Sequence, residues 1–528
     1  MYSLSAFILL GGVLGLYVLL KSKASRAPLP PGPKGLPIIG NIGSDLPRGG
    51  KDWEHWLKHK DLYGPISSIT TAGHTLIILN GANVAMELLE KRSARYSARP
   101  RLVMAHELSG ADIFVTMHTE NALVREQRKR ILSQLRSERA LLSLYPQVDT
   151  VVRRFLLRTL QKPEELMDHI KTGIGGVILK IAYGYTAGFH GRDPLIDLVE
   201  NTSFAFGIIN QPTGWLVDSI PAPGSVKYMP SWFPGAGFKK QAREYRRGFH
   251  TLANWPFAFA QHQMKEDKYE PSFVSRQIEQ TGSILSPEEE LKIKHSAAAV
   301  FQAGYDTTAS TITSFFLAMA LFPDAQQKAQ EEIDRVIGAR LPTPTDRVKL
   351  PYVNALINEV IRWNPVVQIG IMHAATEDDI YEGYLIPKGA PIVPNIWAFA
   401  HDPEVYSDPM SFRPERFLAS DGHVPERDPH TLVFGFGRRI CPGRPLADFN
   451  NFLTIARSLA VFRIRKAMKD GKEIDPIVDY QEGIVGHLSP FQVSIQPRSA
   501  EHEALIRSIE VENPSSRSDS ATLESLRV

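Results

Sequence analysis

Cysteine is nearly absent: Cys441 is the only one in 528 residues, so the chain has no intramolecular disulfide and no multi-cysteine zinc site. The same scarcity argues against a disulfide-stapled secreted protein. Charge of one sign is also missing, because 60 Lys and Arg face 57 Asp and Glu for a formal +3. That balance points to neither nucleic acid nor an acidic partner. No internal repeat is visible, and no Ser/Gly-rich or charge-rich linker interrupts residues 38 to 498, which therefore read as one large domain. Hydrophobic residues make up 43%, ordinary for a chain with a substantial core.

An almost continuous apolar run extends from Leu4 to Leu20. It is at the short end for crossing a bilayer as a helix. A cleaved signal peptide would carry basic residues before the run and a small-residue cleavage site after it. Here Lys21, Lys23 and Arg26 follow the run and no charged side chain precedes it. Residues 1–20 therefore read as an uncleaved signal anchor, one N-terminal transmembrane helix, with the body in the cytosol and the endoplasmic reticulum as the expected membrane. Residues 21–37 contain Pro28-Leu-Pro-Pro-Gly-Pro-Lys-Gly-Leu-Pro37. Prolines fix φ and remove donors, so this is a stiff extended hinge. In isolation it would also suit an SH3-type domain, but directly after an anchor it sets the angle of the body on the bilayer.

The rest of the chain is organised around Phe434-Gly-Phe-Gly-Arg-Arg-Ile-Cys-Pro-Gly443. A lone cysteine is usually a small buried hydrophobe. Its neighbours argue otherwise. Gly435, Gly437 and Gly443 allow tight turns and close approach to a large flat ligand. Arg438 and Arg439 supply positive charge that favours a thiolate. A soft thiolate in such a loop suits axial ligation of haem iron. The Gly435-x-Gly437 pair lacks the third glycine and the strand–helix unit of a dinucleotide loop.

The segment resembles the haem-binding loop of the cytochrome P450 family, F-x-x-G-x-R-x-C-x-G, with Phe434, Gly437, Arg439, Cys441 and Gly443 in register. The resemblance implies a mainly α fold, a helical body with small β-sheets, preceded by the N-terminal transmembrane helix. It implies haem b with Cys441 as the axial iron ligand. It further implies a monooxygenase that activates O2 with electrons from NADPH, delivered by NADPH-cytochrome P450 reductase, to oxidise a lipophilic small molecule.

Other motifs fall in the family's order. Ser286-Pro287 starts a helix expected to reach about Leu321, and within it lies Ala303-Gly304-Tyr305-Asp306-Thr307-Thr308. Glycine and threonine lower helix propensity there, which is read as a kink without function or as a functional break. By resemblance, Ala303 and Gly304 leave room for dioxygen in a locally opened helix. Thr307 would then hydrogen-bond the oxygen being activated, and Asp306 would help relay protons. Glu359-x-x-Arg362 shares one helix face, a common pattern on any surface. With Arg416 of Pro414-Glu-Arg-Phe417 it resembles the family's buried charged triad, a structural lock. By the same resemblance, Arg128, His373 and Arg439 would meet haem propionates, while Val124 replaces the tryptophan usual one turn before the arginine. Arg125, Lys129 and Arg130 read as a solvated face or as docking charges for an acidic redox partner.

Elsewhere, Ile66 to Leu79 reads as a hairpin around Gly73-His74, and Leu446 to Phe462 as a helix. Arg95 to Thr119 reads as a loop, which in this family roofs the pocket. Trp215, Trp232 and Phe233 suit a core or a lipid interface equally. Gly486-His-Leu-Ser-Pro-Phe491 resembles the C-terminal turn that enters the pocket. Residues 499–528 are polar and Ser-rich and read as a disordered tail, apart from a helical patch near Leu505 to Val511. Stretches such as Arg154 to Leu160, Met229 to Gly235, Asn395 to Trp397, His401 to Pro403 and Glu503 to Glu510 resemble fungal secondary-metabolism P450s of the O-methylsterigmatocystin oxidoreductase type. A polyketide, terpenoid or alkaloid intermediate is the implied substrate class. Two rival readings are a haem-thiolate isomerase or dehydratase and a non-catalytic haem sensor, and the intact Asp306-Thr307 pair counts against both.

Overall fold

The computed structural model describes residues 27–526 except 37–39, 42–44, 48–50, 72, 120–121, 189–190, 212–213, 220–225, 283, 421, 482 and 514–516. The expected anchor at 1–20 lies outside the described residues, and among those described no helix is long and apolar enough to cross a membrane. The main helices are α1 (Asp52–Tyr63), α2 (Ala122–Leu135), α3 (Glu138–Gln161), α4 (Leu166–Tyr183), α5 (Pro194–Ile209) and α6 (Phe238–Lys265). They continue with α7 (Phe273–Thr281), α8 (Pro287–Leu321), α9 (Pro323–Val336), α10 (Pro351–Trp363), α11 (Arg444–Val461) and α12 (Ala500–Glu512).

The body is built round α8, a helix of 35 residues. Its start follows from local chemistry. The Ser286 side chain accepts from the Glu289 N–H, Pro287 occupies the first position where no donor is needed, and Glu288 to Glu290 face the positive end of the dipole. Its middle is buried on nearly every side, the mark of a helix that runs through a core. Helices α2, α4, α6 and α11 pack against it.

The sheets are small and peripheral. Strands β1 (Ile66–Thr71) and β2 (His74–Leu79) form the expected hairpin, with Ile66 opposite Leu79 and Thr71 opposite His74. Gly73 turns it at φ 84°, open to glycine without strain. Strands β3 (His373–Ala374), β4 (Asp379–Tyr381), β5 (Tyr384–Ile386) and β6 (Pro391–Pro394) follow α10. The first sheet runs β1-β2-β6-β3, with β2 and β6 parallel, so the hairpin is joined to the chain after α10. Strands β4 and β5 pair alone, and β7 (Phe462–Lys469) lies between β8 (Lys472–Ile474) and β9 (Val493–Pro497).

The C-terminal reading needs correction. Residues after 499 are ordered where they are described: α12 is capped by Ser499, and a short helix spans Ser520–Ser525. Ile506, Ile509 and Leu523 are fully buried. Trp255 of α6 donates its indole N–H to the Leu523 carbonyl at 2.9 Å, and Thr186 and Asp519 exchange backbone and side-chain bonds. Three scattered apolar residues hold the segment because partners exist for them, which a polar composition hides. Burial is worth about 1.5–3 kcal/mol per side chain, so deleting residues 499–528 is expected to lower unfolding free energy by about 5 kcal/mol. Denaturant melts of the truncated and full chains measure it.

Candidate active site

Cys441 sits at the end of a loop closed on itself. Its backbone N–H donates to the Phe434 carbonyl at 2.8 Å, and Gly437–Arg439 make a 3-10 turn between them. Phe434 stacks on His430, and buried Phe436 meets Phe399. Gly437, at φ 52°, is demanded by the fold: a Cβ there would lie 2.5 Å from the Leu89 carbonyl oxygen. This differs from the expectation that the glycine serves ligand approach. At Gly443 a Cβ would stand 3.8 Å from the Cys441 sulfur, an ordinary contact.

Protein surrounds Cys441 in every direction, yet the side chain is solvent-accessible. A group that is both deep and accessible lines an internal space. In α8, Ala303 is exposed and Thr307 half-buried within a helix otherwise buried through its middle. The helix stays continuous there, which replaces the expected local opening. The Thr307 hydroxyl donates to the Ala303 carbonyl at 2.7 Å, a back-bond that satisfies it without breaking the helix. Asp306, buried, has its Oδ1 3.0 Å from His487 Nε2.

Cations collect on another side. Arg99, fully enclosed, donates to the carbonyls of Thr116, Ile371 and Met372. Arg439 donates to the Ser97 and His118 carbonyls, both at 2.7 Å, and Arg128 of α2 donates to the Ile440 carbonyl at 2.7 Å. His373 of β3 donates from Nδ1 to the Tyr96 carbonyl at 2.7 Å. Burial, then the Arg99 and Arg439 charges, push its pKa down to about 3. Burial, then Arg439 and Arg128, lower that of Arg99 well below the usual guanidinium value. Like charges held together out of water favour an anionic ligand. Val124, at the family's tryptophan position, is buried one turn from Arg128. A cleft of about 800 Å³ opens along α2, lined by Val124, Arg125, Arg128, Lys129, Arg438 and Arg439 among others. Arg130 turns away to Glu289 of α8 at 2.6 Å.

The expected triad is brought together and is larger than the sequence suggested. Arg362 grips Glu359 with Nε to Oε2 at 2.7 Å and Nη2 to Oε1 at 2.9 Å. Arg416 Nε donates to Glu359 Oε1 at 3.1 Å, and its Nη1 reaches Glu426 Oε2 at 2.6 Å. The side chains of Glu359, Arg362 and Arg416 are 0% exposed. Glu426 balances the charge at two of each sign.

The model of the Cytochrome P450 family matches residues 30–495. The chain belongs to that family. It is 44% identical to the cytochrome P450 monooxygenase ppsD of Aspergillus oryzae, over 96% of each chain. It is 45% identical to the cytochrome P450 monooxygenase claR of Ampulloclitocybe clavipes, over 94% of this chain and 91% of that one. To O-methylsterigmatocystin oxidoreductase of Aspergillus flavus it is 39% identical, over 98% of each. Those relatives match the type whose likeness the sequence carries.

As a P450 monooxygenase the protein uses haem b held by a cysteine thiolate, and Cys441 is the only cysteine it has. The residues present fit the group: a soft donor facing an internal space, and a set of buried cations suited to its two carboxylates. Burial and nearby charge act on the Cys441 thiol in opposite directions. Burial pushes its pKa up, the Gly443 N–H, the Arg128 charge, and then Arg444 only partly offset it. The charges that act on it most are those of Arg128 and Arg444, in place of the Arg438 and Arg439 pair expected from the sequence. A metal ion deprotonates a coordinating thiol outright.

Sequence reasoning missed Arg99, Glu426 and His487 as members of this site. Only the C-terminal turn motif pointed near one of them.

Replacing Glu359 by Gln leaves two buried arginines short of a partner and is expected to destabilise by about 3–5 kcal/mol in denaturant melts. Arg99→Leu removes an enclosed cation, from which a charge-assisted bond to a haem carboxylate would be worth about 1.5–3 kcal/mol. It is expected to weaken haem retention by roughly tenfold or more, read from haem content after gel filtration at graded haem concentrations.

Proposed function

We propose that the protein is a membrane-anchored haem-thiolate monooxygenase that oxidises a lipophilic small molecule, a polyketide, terpenoid or alkaloid intermediate, in fungal secondary metabolism. The observation that carries this reading is the acid–alcohol pair on α8: a buried Asp306 beside a half-buried Thr307, in a helix that turns accessible at Ala303. When bound, haem iron supplies the oxygen-activating chemistry, with its electrons drawn from NADPH through NADPH-cytochrome P450 reductase.

The chain's own residues have separate tasks. Cys441 would hold the iron. Arg99, Arg128 and Arg439 would hold the propionates, and His373 would join them in its cationic form, which an adjacent carboxylate favours. Phe434, Gly437 and Gly443 shape the loop. Thr307 would present its hydroxyl to the oxygen site, and Asp306 would pass it a proton. Arg125 and Lys129, exposed on α2, suit the docking of an acidic reductase surface.

The membrane part of the reading rests on Leu4 to Leu20 and on Tyr228, Trp232 and Phe233, whose rings are exposed on one segment. Aromatic side chains favour the lipid–water interface. The body would face the cytosol from the endoplasmic reticulum.

Deleting the gene in its host and comparing metabolite masses tests the chemistry. Accumulation of a precursor lighter than the lost product by one oxygen, or heavier by two hydrogens, is expected. An accumulating isomer of the lost product would replace this reading by a rearrangement.

A further inference from the structure

His487, which is given no haem-holding role above, is bonded to Asp306. Its Nε2 stands 3.0 Å from Asp306 Oδ1 although the two are far apart in the chain. Asp306 belongs to α8, and His487 to the turn at Gly486–Pro490 that leads to β9.

The turn is held in place from several sides. Ser310 of α8 donates its hydroxyl to the Gly486 carbonyl at 3.2 Å, and the Gly486 N–H donates to Val366 at 2.7 Å. The Gln481 N–H donates to the His487 carbonyl at 2.8 Å. A Cβ on Gly486 would come within 2.6 Å of the Gln368 side chain, so glycine lets the turn sit this close. The contact between imidazole and carboxylate is therefore built into the fold.

Exposure differs across the pair. The Asp306 side chain is 11% accessible and that of His487 36%, although His487 lies deep in the protein. Like Cys441, the imidazole is enclosed and still open to a space within the fold. His487 is the more accessible member of the pair.

The charged groups that act on His487 are Asp306 of α8, Lys171 of α4 and Glu200 of α5, the last two paired with each other. Burial lowers its pKa. The Asp306 charge and hydrogen bond raise it, Lys171 lowers it, Glu200 raises it, and the balance lies above the ordinary histidine value.

We infer that His487 is the proton-entry residue of the active site, the group that reprotonates Asp306 from solvent. This rests on the reading of Asp306 and Thr307 given above. In the step, the cationic imidazole breaks its Nε2–H bond and Asp306 Oδ1 gains an O–H bond. Once Asp306 has passed that proton towards Thr307, the neutral ring takes another from water in the accessible space. No electron moves in this exchange. Because the cation is the donor, proton supply falls as pH rises through the elevated pKa of His487.

The test uses the full chain loaded with haem, an NADPH-cytochrome P450 reductase, NADPH and O2, with no organic substrate added. NADPH oxidation and the fraction of consumed O2 released as hydrogen peroxide are followed from about pH 6 to about pH 9, the range that brackets an elevated histidine. The wild type is expected to slow with rising pH. His487→Gln keeps a donor for Asp306 but does not titrate, so its profile should be flat and its peroxide fraction higher. His487→Phe should lose about tenfold or more in the proton-dependent rate. In both variants the spectrum of the reduced carbon monoxide complex should stay that of a thiolate-bound haem.

A His487→Gln enzyme with the wild-type pH profile and peroxide fraction overturns the inference, as does a flat wild-type profile. Where His487→Phe fails to bind haem, the wild type and His487→Gln still decide. A wild type that gives a normal carbon monoxide complex but whose gene deletion accumulates an isomer of the lost product overturns the monooxygenase reading, and the inference with it.

Discussion

Burying four charges together is the constraint on which the cysteine loop depends. Glu359, Arg362, Arg416 and Glu426 each lose solvation worth several kcal/mol, which their mutual attraction repays only with good geometry and satisfied hydrogen bonds. That requirement recruits the backbone. Arg362 reaches the carbonyls of Ala400, Pro409 and Ser411, and Arg416 those of Ser407, Asp408 and Ser411. The Glu426 N–H in turn donates to the Arg416 carbonyl at 2.7 Å. A stretch with little regular structure is thus fastened to α10 by side chains. The chain that leaves it enters the His430–Val433 helical turn, where His430 lies between Asp428 and Asp448 of α11. Because His430 also stacks on Phe434, the position of Cys441 follows from charges well before it in the sequence.

What could be read in the sequence were features whose cause is local. A serine cap with proline behind it starts α8, and a glycine between β-rich halves turns the hairpin. The cysteine loop was legible because its fixed residues lie within one short segment. What escaped has its cause elsewhere. Glu426 belongs to no periodic element, and only the fold brings it to Arg416. Arg99 sits in a loop and is set apart by its enclosure and its cationic neighbours, neither of which is a sequence property. The tail misled because two isoleucines and a leucine are too few to outweigh a polar composition. Their stability comes from α3 and α6, which no window on the tail includes.

The same distinction separates two meanings of a conspicuous residue. Gly437 looked like an allowance for a ligand, yet the Leu89 carbonyl and Ser93 already require it. Arg438 and Arg439 looked like the charges that ionise the thiol, yet Arg128, distant in sequence, and Arg444 act on it more directly. Spacing identified the cysteine correctly while misattributing the forces around it.

In the α8 motif the neighbouring acid and alcohol face different ways. Successive side chains on a helix diverge by about 100°, so adjacent residues cannot face the same partner. Asp306 turns towards His487, and Thr307 lies back on its own helix beside exposed Ala303. One residue therefore meets the His487 imidazole while the next meets the open interior, with one peptide unit between them. A helix that unwound here would lose this fixed divergence. The threonine back-bond and the buried flanks preserve it, which explains how a segment of poor helix propensity stays helical at the point where direction matters most.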